Sequence, residues 1–466
     1  MLFSPSPGIR MASDGKWLWK TTSVEQFFTT YNVSYQLTLA SREPLLEDHF
    51  RQALTHLSRK VPLLRLCYAQ REGEWWLREM AQEIIDFEMI PDVTIEDAHQ
   101  KCLTYQYDIK TGPLWFAKLR PDSPSMEGMP EMAGFPYRST VFLGLYHGIT
   151  DGYSNMKICG FLVQLLEGVI ARNPINDEEE LGICVSGEKT QQLVDERFAA
   201  VKADSEYKEK MMEEFQASQK SCLLSSIIPE GAGEKEPKTR MLLRNLDTDT
   251  STAFFKRCRE EGVTVNSAFT ALGSVAMVDF LVEGGINQDT YRISSNHVVN
   301  ARRYWGGDTY DYLGCHALPT NPVTMETPRT VGSNFWEYTR ELHRQFQKTL
   351  ESSKAIHIEA MKQVCRSDNP DSGALSKQSQ FDFCVTNMGD VTALVTEGGA
   401  HVQATHVLRV TAIHPVPNFW AHFLHSFRGR LINALAYSTE NINDEMAENY
   451  CSKVFQHLHD VIDIKK

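Results

Sequence analysis

The sequence of 466 residues lacks an excess of basic residues, because 47 Lys and Arg stand against 60 Asp and Glu, a formal net charge of −13. This balance argues against a nucleic-acid partner, since a phosphate backbone binds to a basic face. A run of about 18 apolar residues is also lacking, so we expect no membrane span. No apolar segment of signal-peptide length follows Met1. The default expectation is a cytoplasmic location.

The short motifs of several enzyme classes are absent as well. The chain has no Gly-x-x-x-x-Gly-Lys phosphate loop, no Gly-x-Gly-x-x-Gly dinucleotide motif and no Gly-x-Ser-x-Gly nucleophile elbow. Its 10 cysteines form no Cys-x-x-Cys pair, which indicates free thiols in a reducing compartment. His422 and His425 fall in a predicted strand, where a spacing of three places them on opposite faces, so we expect no metal site there.

Two regions of mixed strand and helix pattern are separated by a polar, charged segment. We predict an N-terminal lobe over residues 1–175, a connection with some solvated helix over 176–238, and a C-terminal lobe over 239–466. A chain of 466 residues agrees with two or three domains at roughly 100–200 residues each. Because strands and helices mix in both halves, the predicted fold class is α/β or α+β with mixed sheets.

The segment 147–152, HGITDG, is the strongest candidate for chemistry. It follows an apolar run, 140–146, that is typical of a buried strand, and precedes a helical pattern for which Ser154 is the expected N-cap. Neutral imidazole has a pKa near 6.5, so His147 can accept a proton at pH 7. Gly152 permits positive φ or a close backbone approach. Asp151 could orient His147 directly or brace the loop through an arginine, and a lone histidine after a strand is often only structural.

The wider block 142–162 resembles the active-site segment of the chloramphenicol acetyltransferase-like superfamily. That superfamily includes peptide-synthetase condensation domains, alcohol acetyltransferases, carnitine acyltransferases and plant acyl-CoA transferases. Its mark is an apolar strand, then His-x-x-x-Asp-Gly, then a helix. Weaker matches keep the family's order, at 263–272, 299–303 (VNARR), 312–315 (YLGC) and 386–389 (TNMG). Tyr146 departs from the second histidine that condensation domains usually carry, and the plant motif D-F-G-W-G is absent.

The resemblance implies two similar lobes, each a mixed sheet flanked by helices, with a channel between them and His147 at its centre. It implies a stand-alone acyltransferase, closest in style to alcohol acetyltransferases, that moves an acyl group from acyl-CoA to a small-molecule hydroxyl or amine acceptor. His147 would act as general base without an acyl-enzyme. Acyl-CoA would be a co-substrate, with no bound cofactor or metal. We expect a monomer whose His147 meets a water-holding channel and keeps a pKa of about 6–7.

Supporting roles also come from the resemblance. Asp151 would pair with an arginine and brace the loop rather than act on the substrate, with Arg302 as the candidate and Arg303 as the alternative. Gly152 and Asn387 would support the site. A different class of function stays open: the same fold could serve as a non-catalytic binding or docking module, which the tyrosine at position 146 and the missing plant motif favour. The intact histidine, aspartate and glycine of the motif favour the enzyme.

Overall fold

The structure, a computed structural model, describes residues 15–121, 132–218, 223–228, 233–368, 381–414, 416 and 419–463. The predictions for Cys222, for the first 14 residues and for part of the connection, 229–232, lie outside these residues. The α-helices found in the described ranges are α1 Ser23–Phe28, α2 Glu47–Lys60, α3 Ile95–Leu103, α4 Gly152–Ile170, α5 Glu188–Ala203, α6 Ser205–Ser218, α7 Thr248–Glu260, α8 Val265–Glu283, α9 Phe335–Glu351, α10 Lys354–Asp368, α11 Thr392–Val395 and α12 Asp444–Asp463.

The strands alternate with these helices along the chain. They are β1 Trp17–Lys20, β2 Asn32–Ser41, β3 Leu66–Arg71, β4 Glu74–Glu79, β5 Phe87–Met89, β6 Trp115–Pro121, β7 Tyr137–Tyr146, β8 Ile183–Cys184, β9 Thr239–Asn245, β10 Thr290–His297, β11 Val299–Asn300, β12 Tyr312–Leu313, β13 Ala317–Leu318, β14 Pro322–Pro328, β15 Phe383–Asp390, β16 Val402–Thr411, β17 Trp420–Phe427 and β18 Arg430–Ser438. β3 and β4 form an antiparallel hairpin, and Gly73 takes φ +81° in its turn.

The first large sheet has the strand order β16-β2-β7-β6-β5. Its centre is the antiparallel pair of β2 and β7, in which Asn32 lies opposite Tyr146. Apolar and polar residues alternate along β2, and its polar face is buried as well as its apolar face. His99 of α3 covers that face, with Nδ1 3.0 Å from Ser34 Oγ and Nε2 2.9 Å from Gln36 Oε1. Side-chain hydrogen bonds therefore replace water on the polar side of the strand.

The edge strand of this first sheet comes from the other half of the chain. β16 pairs antiparallel with β2, and Arg409 lies opposite Tyr35 in the register. A boundary at residue 239 therefore does not separate the two large sheets. The crossing ties residues 402–411 to the N-terminal lobe by backbone hydrogen bonds, and the wall of the site described below depends on it.

The second large sheet has the order β14-β10-β15-β17-β18-β9 and is mixed, since β15 runs parallel to both β10 and β17. The helices α8, α9 and α12 pack in its core. Among the described residues one helix, α8, is long and apolar enough to cross a membrane, but 78 % of its apolar window is buried inside the protein. Its hydropathy is thus that of a core helix.

The connection between the halves is more ordered than a solvated linker. α5 buries Val194 and Val201 completely. Val194 belongs to a core cluster that also contains Phe28 of α1 and Ile356 of α10. The charged residues that suggested exposure lie on the outer face of α5, while its apolar positions hold parts of both lobes together.

Candidate active site between the two sheets

His147 stands at the end of the central strand β7, where the chain turns toward α4. Residues His147–Ile149 form one turn of 3-10 helix, and the His147 backbone N–H donates to Tyr31 O at 3.1 Å. Gly148 is required by space, since a Cβ there would lie 2.4 Å from the hydroxyl of Tyr68. At Gly152 a Cβ would lie 2.9 Å from Met388 Sδ, in a flexible side chain that can move aside.

The imidazole of His147 has one nitrogen fixed by the backbone. Its Nδ1 lies 2.7 Å from the carbonyl oxygen of Thr150, which can only accept, so Nδ1 carries the proton and Nε2 the lone pair. The ring of Phe28 stacks on the imidazole with centroids 4.2 Å apart. Local turn geometry and one aromatic contact therefore fix both the tautomer and the orientation of the ring.

The surroundings of His147 favour the neutral ring. The side chain is only 9 % exposed. Burial lowers its pKa from the ordinary 6.5, and the charge of Arg409 lowers it further, whereas the hydrogen bond to Thr150 and the carboxylate of Asp151 raise it. The sequence predicts a pKa of about 6–7 beside a water-holding channel, and the surroundings shift the pKa of His147 downward from 6.5. The physical reason is that burial, including the stacked ring of Phe28, penalises the charged imidazolium.

Asp151 is held by donors on every side. It is the N-cap of α4, with Oδ1 accepting from Ser154 N–H at 2.9 Å, so the expectation that Ser154 caps this helix is wrong. Oδ2 accepts from Arg302 Nη1 at 2.6 Å and from His316 N–H at 2.9 Å. Burial raises the pKa of the Asp151 carboxyl, but the charge and hydrogen bond of Arg302 outweigh it and lower the pKa to about 2. The carboxylate thus braces the loop and does not contact the imidazole nitrogens.

Arg302 completes this brace from the other half of the chain. Its guanidinium also donates to Tyr312 O at 3.1 Å, Asn300 Oδ1 at 3.1 Å and Ser154 Oγ at 3.0 Å. Arg303, the alternative partner of Asp151, is exposed and lies over the ring of Tyr304 instead. The ion pair of Asp151 with Arg302 therefore ties α4 to the segment after β11.

A cavity of about 380 Å³ opens in front of His147. One wall is the face of β2 and β16, and the opposite wall is formed by β15 and β17, so the cavity lies between the two large sheets. Asn387 lines it, and its Oδ1 accepts from Gly389 N–H at 2.8 Å. The lining is mainly apolar, and its polar side chains are Tyr31, Tyr35, His147, Asp151, Tyr153, Asn155, Asn296, Asn300, Thr320, Thr386, Asn387, Arg409 and Thr411.

Other candidates from the sequence do not meet at this cavity. Tyr146 packs its ring against Tyr68 and Tyr107 in the core. His422 and His425 lie on β17 and bond within the core, the first to Asn433 and Tyr450 and the second to Val407 O. No group of three or more ligating side chains that could hold a metal occurs within the described ranges.

Sequence reasoning missed several residues of the site. Phe28 stacks on the imidazole, and Tyr35 and Arg409 line the cavity, yet none belongs to a motif. Phe28 ends the short helix α1. The only local signal of Tyr35 and Arg409 is alternation in a strand, which cannot distinguish a cavity wall from a packed core. The positions become recognisable once β16 is paired with β2.

Comparisons with known proteins agree on the fold. No model of a protein family and no curated protein matches the sequence. Among solved structures, TRI3 trichothecene 15-O-acetyltransferase from Fusarium sporotrichioides is similar with a TM-score of 0.65 and 12 % identity, over 97 % of this chain and 99 % of that chain. The first condensation domain of the CDA synthetase gives 0.66 and 12 % over 97 % of each chain.

The epimerization domain from the third module of tyrocidine synthetase B is similar to the same extent, with a TM-score of 0.66 and 12 % identity over 98 % of each chain. These likenesses cover both lobes. The chain therefore shares the fold of these acetyltransferase, epimerization-domain and condensation-domain structures, and the predicted mixed α/β fold class is confirmed.

Proposed function

We propose that this protein is an acyltransferase that moves an acyl group from acyl-CoA to a hydroxyl or amine acceptor. One observation carries the proposal: Thr150 O holds Nδ1–H of His147, and the ring borders the cavity with Nε2 as its basic nitrogen. A buried, oriented, neutral imidazole beside a small-molecule cavity is the arrangement that general-base catalysis needs. The structural relatives include an O-acetyltransferase, which supports the same class of reaction.

In the proposed reaction the acyl group passes directly from the thioester to the acceptor. The acceptor O–H or N–H gives its proton to Nε2 of His147 while its oxygen or nitrogen bonds to the thioester carbonyl carbon. The tetrahedral intermediate then collapses, the carbon–sulfur bond breaks, and the sulfur takes the proton from the imidazolium. Because burial lowers the pKa of His147, the imidazolium is an effective acid for this last step. No acyl-enzyme and no bound cofactor or metal take part in the proposal.

The volume of the cavity limits which parts of the substrates can bind inside it. A volume of about 380 Å³ lies at the lower end of small-molecule sites, roughly 300–1,000 Å³. It suits the acyl group, the thioester and the acceptor, with the nucleotide part of CoA remaining outside. We further propose that the protein acts as a monomer in the cytoplasm, in keeping with its acidic balance and free thiols.

The test is release of free thiol from acetyl-CoA with a panel of alcohols and amines. His147→Ala should keep the melting temperature and lower turnover by roughly 10²–10⁴-fold, the usual share of a general base. His401→Ala is the matched control, since His401 is 40 % exposed and paired with Glu167 outside the cavity. Equal thiol release by wild type and His147→Ala with every acceptor would refute catalysis by His147 and favour the binding module.

A further inference from the structure

One charged side chain of the cavity has no part in the proposed mechanism. Arg409 of β16 is 4 % exposed and lines the same cavity as His147. Its guanidinium crosses between the sheets, bonding to the carbonyl oxygen of Thr386 and, at 3.4 Å, to Leu424 O, and it lies 5.2 Å from the ring centroid of Phe423. These partners orient the group, but all are uncharged.

The charge of Arg409 is not neutralised by the part of the chain that the structure describes. No carboxylate in the described ranges lies within ion-pair distance of it, and its Nε–H is buried without a hydrogen-bond partner there. Asp151, the carboxylate on the cavity wall, already forms an ion pair with Arg302. A guanidinium stays protonated at neutral pH, and a buried cation without a counter-ion costs several kcal/mol. An anion in the cavity would remove this cost.

The register separates the backbone of Arg409 from that of His147. Arg409 lies opposite Tyr35 on β2, and His147 is tied to Tyr31, four residues earlier. Four residues of a strand span about 13 Å, so the two side chains start from separate points of one wall. A molecule that spans this separation can place an anionic end at Arg409 and its nucleophile at Nε2 of His147.

We propose that the acceptor carries a carboxylate that pairs with Arg409, which makes it a hydroxy acid or an amino acid with an apolar body. This inference rests on the proposed acyl transfer, because only that reaction has an acceptor. The anion site itself can be tested without turnover. The flat guanidinium matches a carboxylate, and the apolar lining matches the body of such a molecule. Arg409 is then a specificity residue.

The first arm of the test measures binding alone. Phenylacetate and phenylacetamide are titrated by calorimetry into wild type and into His147→Ala, which has no base. The acid should bind on the order of 10²-fold more tightly than the amide in both proteins, and Arg409→Gln should abolish this difference. Arg409→Lys keeps the charge and serves when the glutamine variant does not fold. Equal binding of acid and amide to wild type overturns the proposal.

The second arm uses thiol release with a hydroxy acid and its methyl ester. Arg409→Gln should raise KM for the acid by about 10²-fold relative to KM for the ester and leave KM for acetyl-CoA unchanged. An equal fall of kcat for both acceptors would mean that Arg409 stabilises the oxyanion. A raised KM for acetyl-CoA would mean that Arg409 binds the acyl donor. Either result overturns the carboxylate site. Absence of turnover in wild type with preserved acid binding would refute the transferase and keep the site.

Discussion

Removing the charge of Asp151 should destabilise the protein because it leaves Arg302 as a buried cation. In Asp151→Asn the amide can keep one acceptor oxygen, whereas the native carboxylate accepts from Ser154 N–H, Arg302 Nη1 and His316 N–H. One of these donors would then face the donor NH₂ of Asn. Breaking a buried ion pair from one side costs about 3–5 kcal/mol.

The expected melting shift follows from the length of the chain. An unfolding entropy of about 2.1 cal/mol/K per residue gives about 1 kcal/mol/K for 466 residues unfolding together. A loss of 3–5 kcal/mol then lowers the melting temperature by about 3–5 °C. Turnover should fall as well, because the carboxylate anchors the loop that carries His147.

The assay is calorimetric melting together with thiol release on the same samples. Glu47→Gln is the matched control, since Glu47 pairs with Arg51 at 2.7 Å while both side chains are half exposed, and such helix pairs contribute about 0.5 kcal/mol or less. The double change Asp151→Asn with Arg302→Met should cost less than the sum of the single changes. An unchanged melting temperature with abolished turnover would refute the brace and give Asp151 a direct part in the chemistry.

Three further outcomes are expected. The protein should lose its folded signal between about pH 6 and 5, because burial lowers the pKa of six histidines to about 3 or 4 in the folded state: His99, His297, His316, His406, His422 and His425. Each has a pKa of about 6.5 when unfolded and therefore costs about 2 kcal/mol of folding free energy at pH 5. A melting temperature unchanged down to pH 4.5 would contradict this. In short pH-jump assays, kcat/KM should stay level as pH falls to 6.5 and decrease only below it, since burial lowers the pKa of His147 and its neutral form is the base; a break above 6.5 speaks against the buried neutral ring. Gly160→Ala should destabilise the protein by about 1–3 kcal/mol, because the new Cβ would lie 2.1 Å from the backbone oxygen of Leu394. Gly152→Ala is the control: its Cβ meets only the flexible end of Met388, so this variant should melt nearly as wild type. Equal melting temperatures of the two variants in calorimetry would contradict the packing argument.

Local sequence determined the segment that carries His147. The apolar run that became β7, the loop and the helical period of α4 lie within 34 consecutive residues, Tyr137–Tyr146 through Gly152–Ile170. Hydrophobic period and loop composition act over such distances, so strand, loop and helix were predictable. The first residue of the helix was harder to predict, since Asp151 rather than Ser154 caps it. Both residues are good N-caps, and only the backbone angles distinguish them.

Tertiary structure alone decided what surrounds His147. The ion pair of Asp151 joins residues 151 apart in sequence, and the resemblance to a family, not a local pattern, suggested Arg302. β16 looks like any alternating strand until it pairs with β2 across the lobes. That crossing places Arg409 in the wall of the cavity that His147 also lines. Burial and long-range pairing depend on which surfaces meet, and composition or spacing along the chain does not specify that.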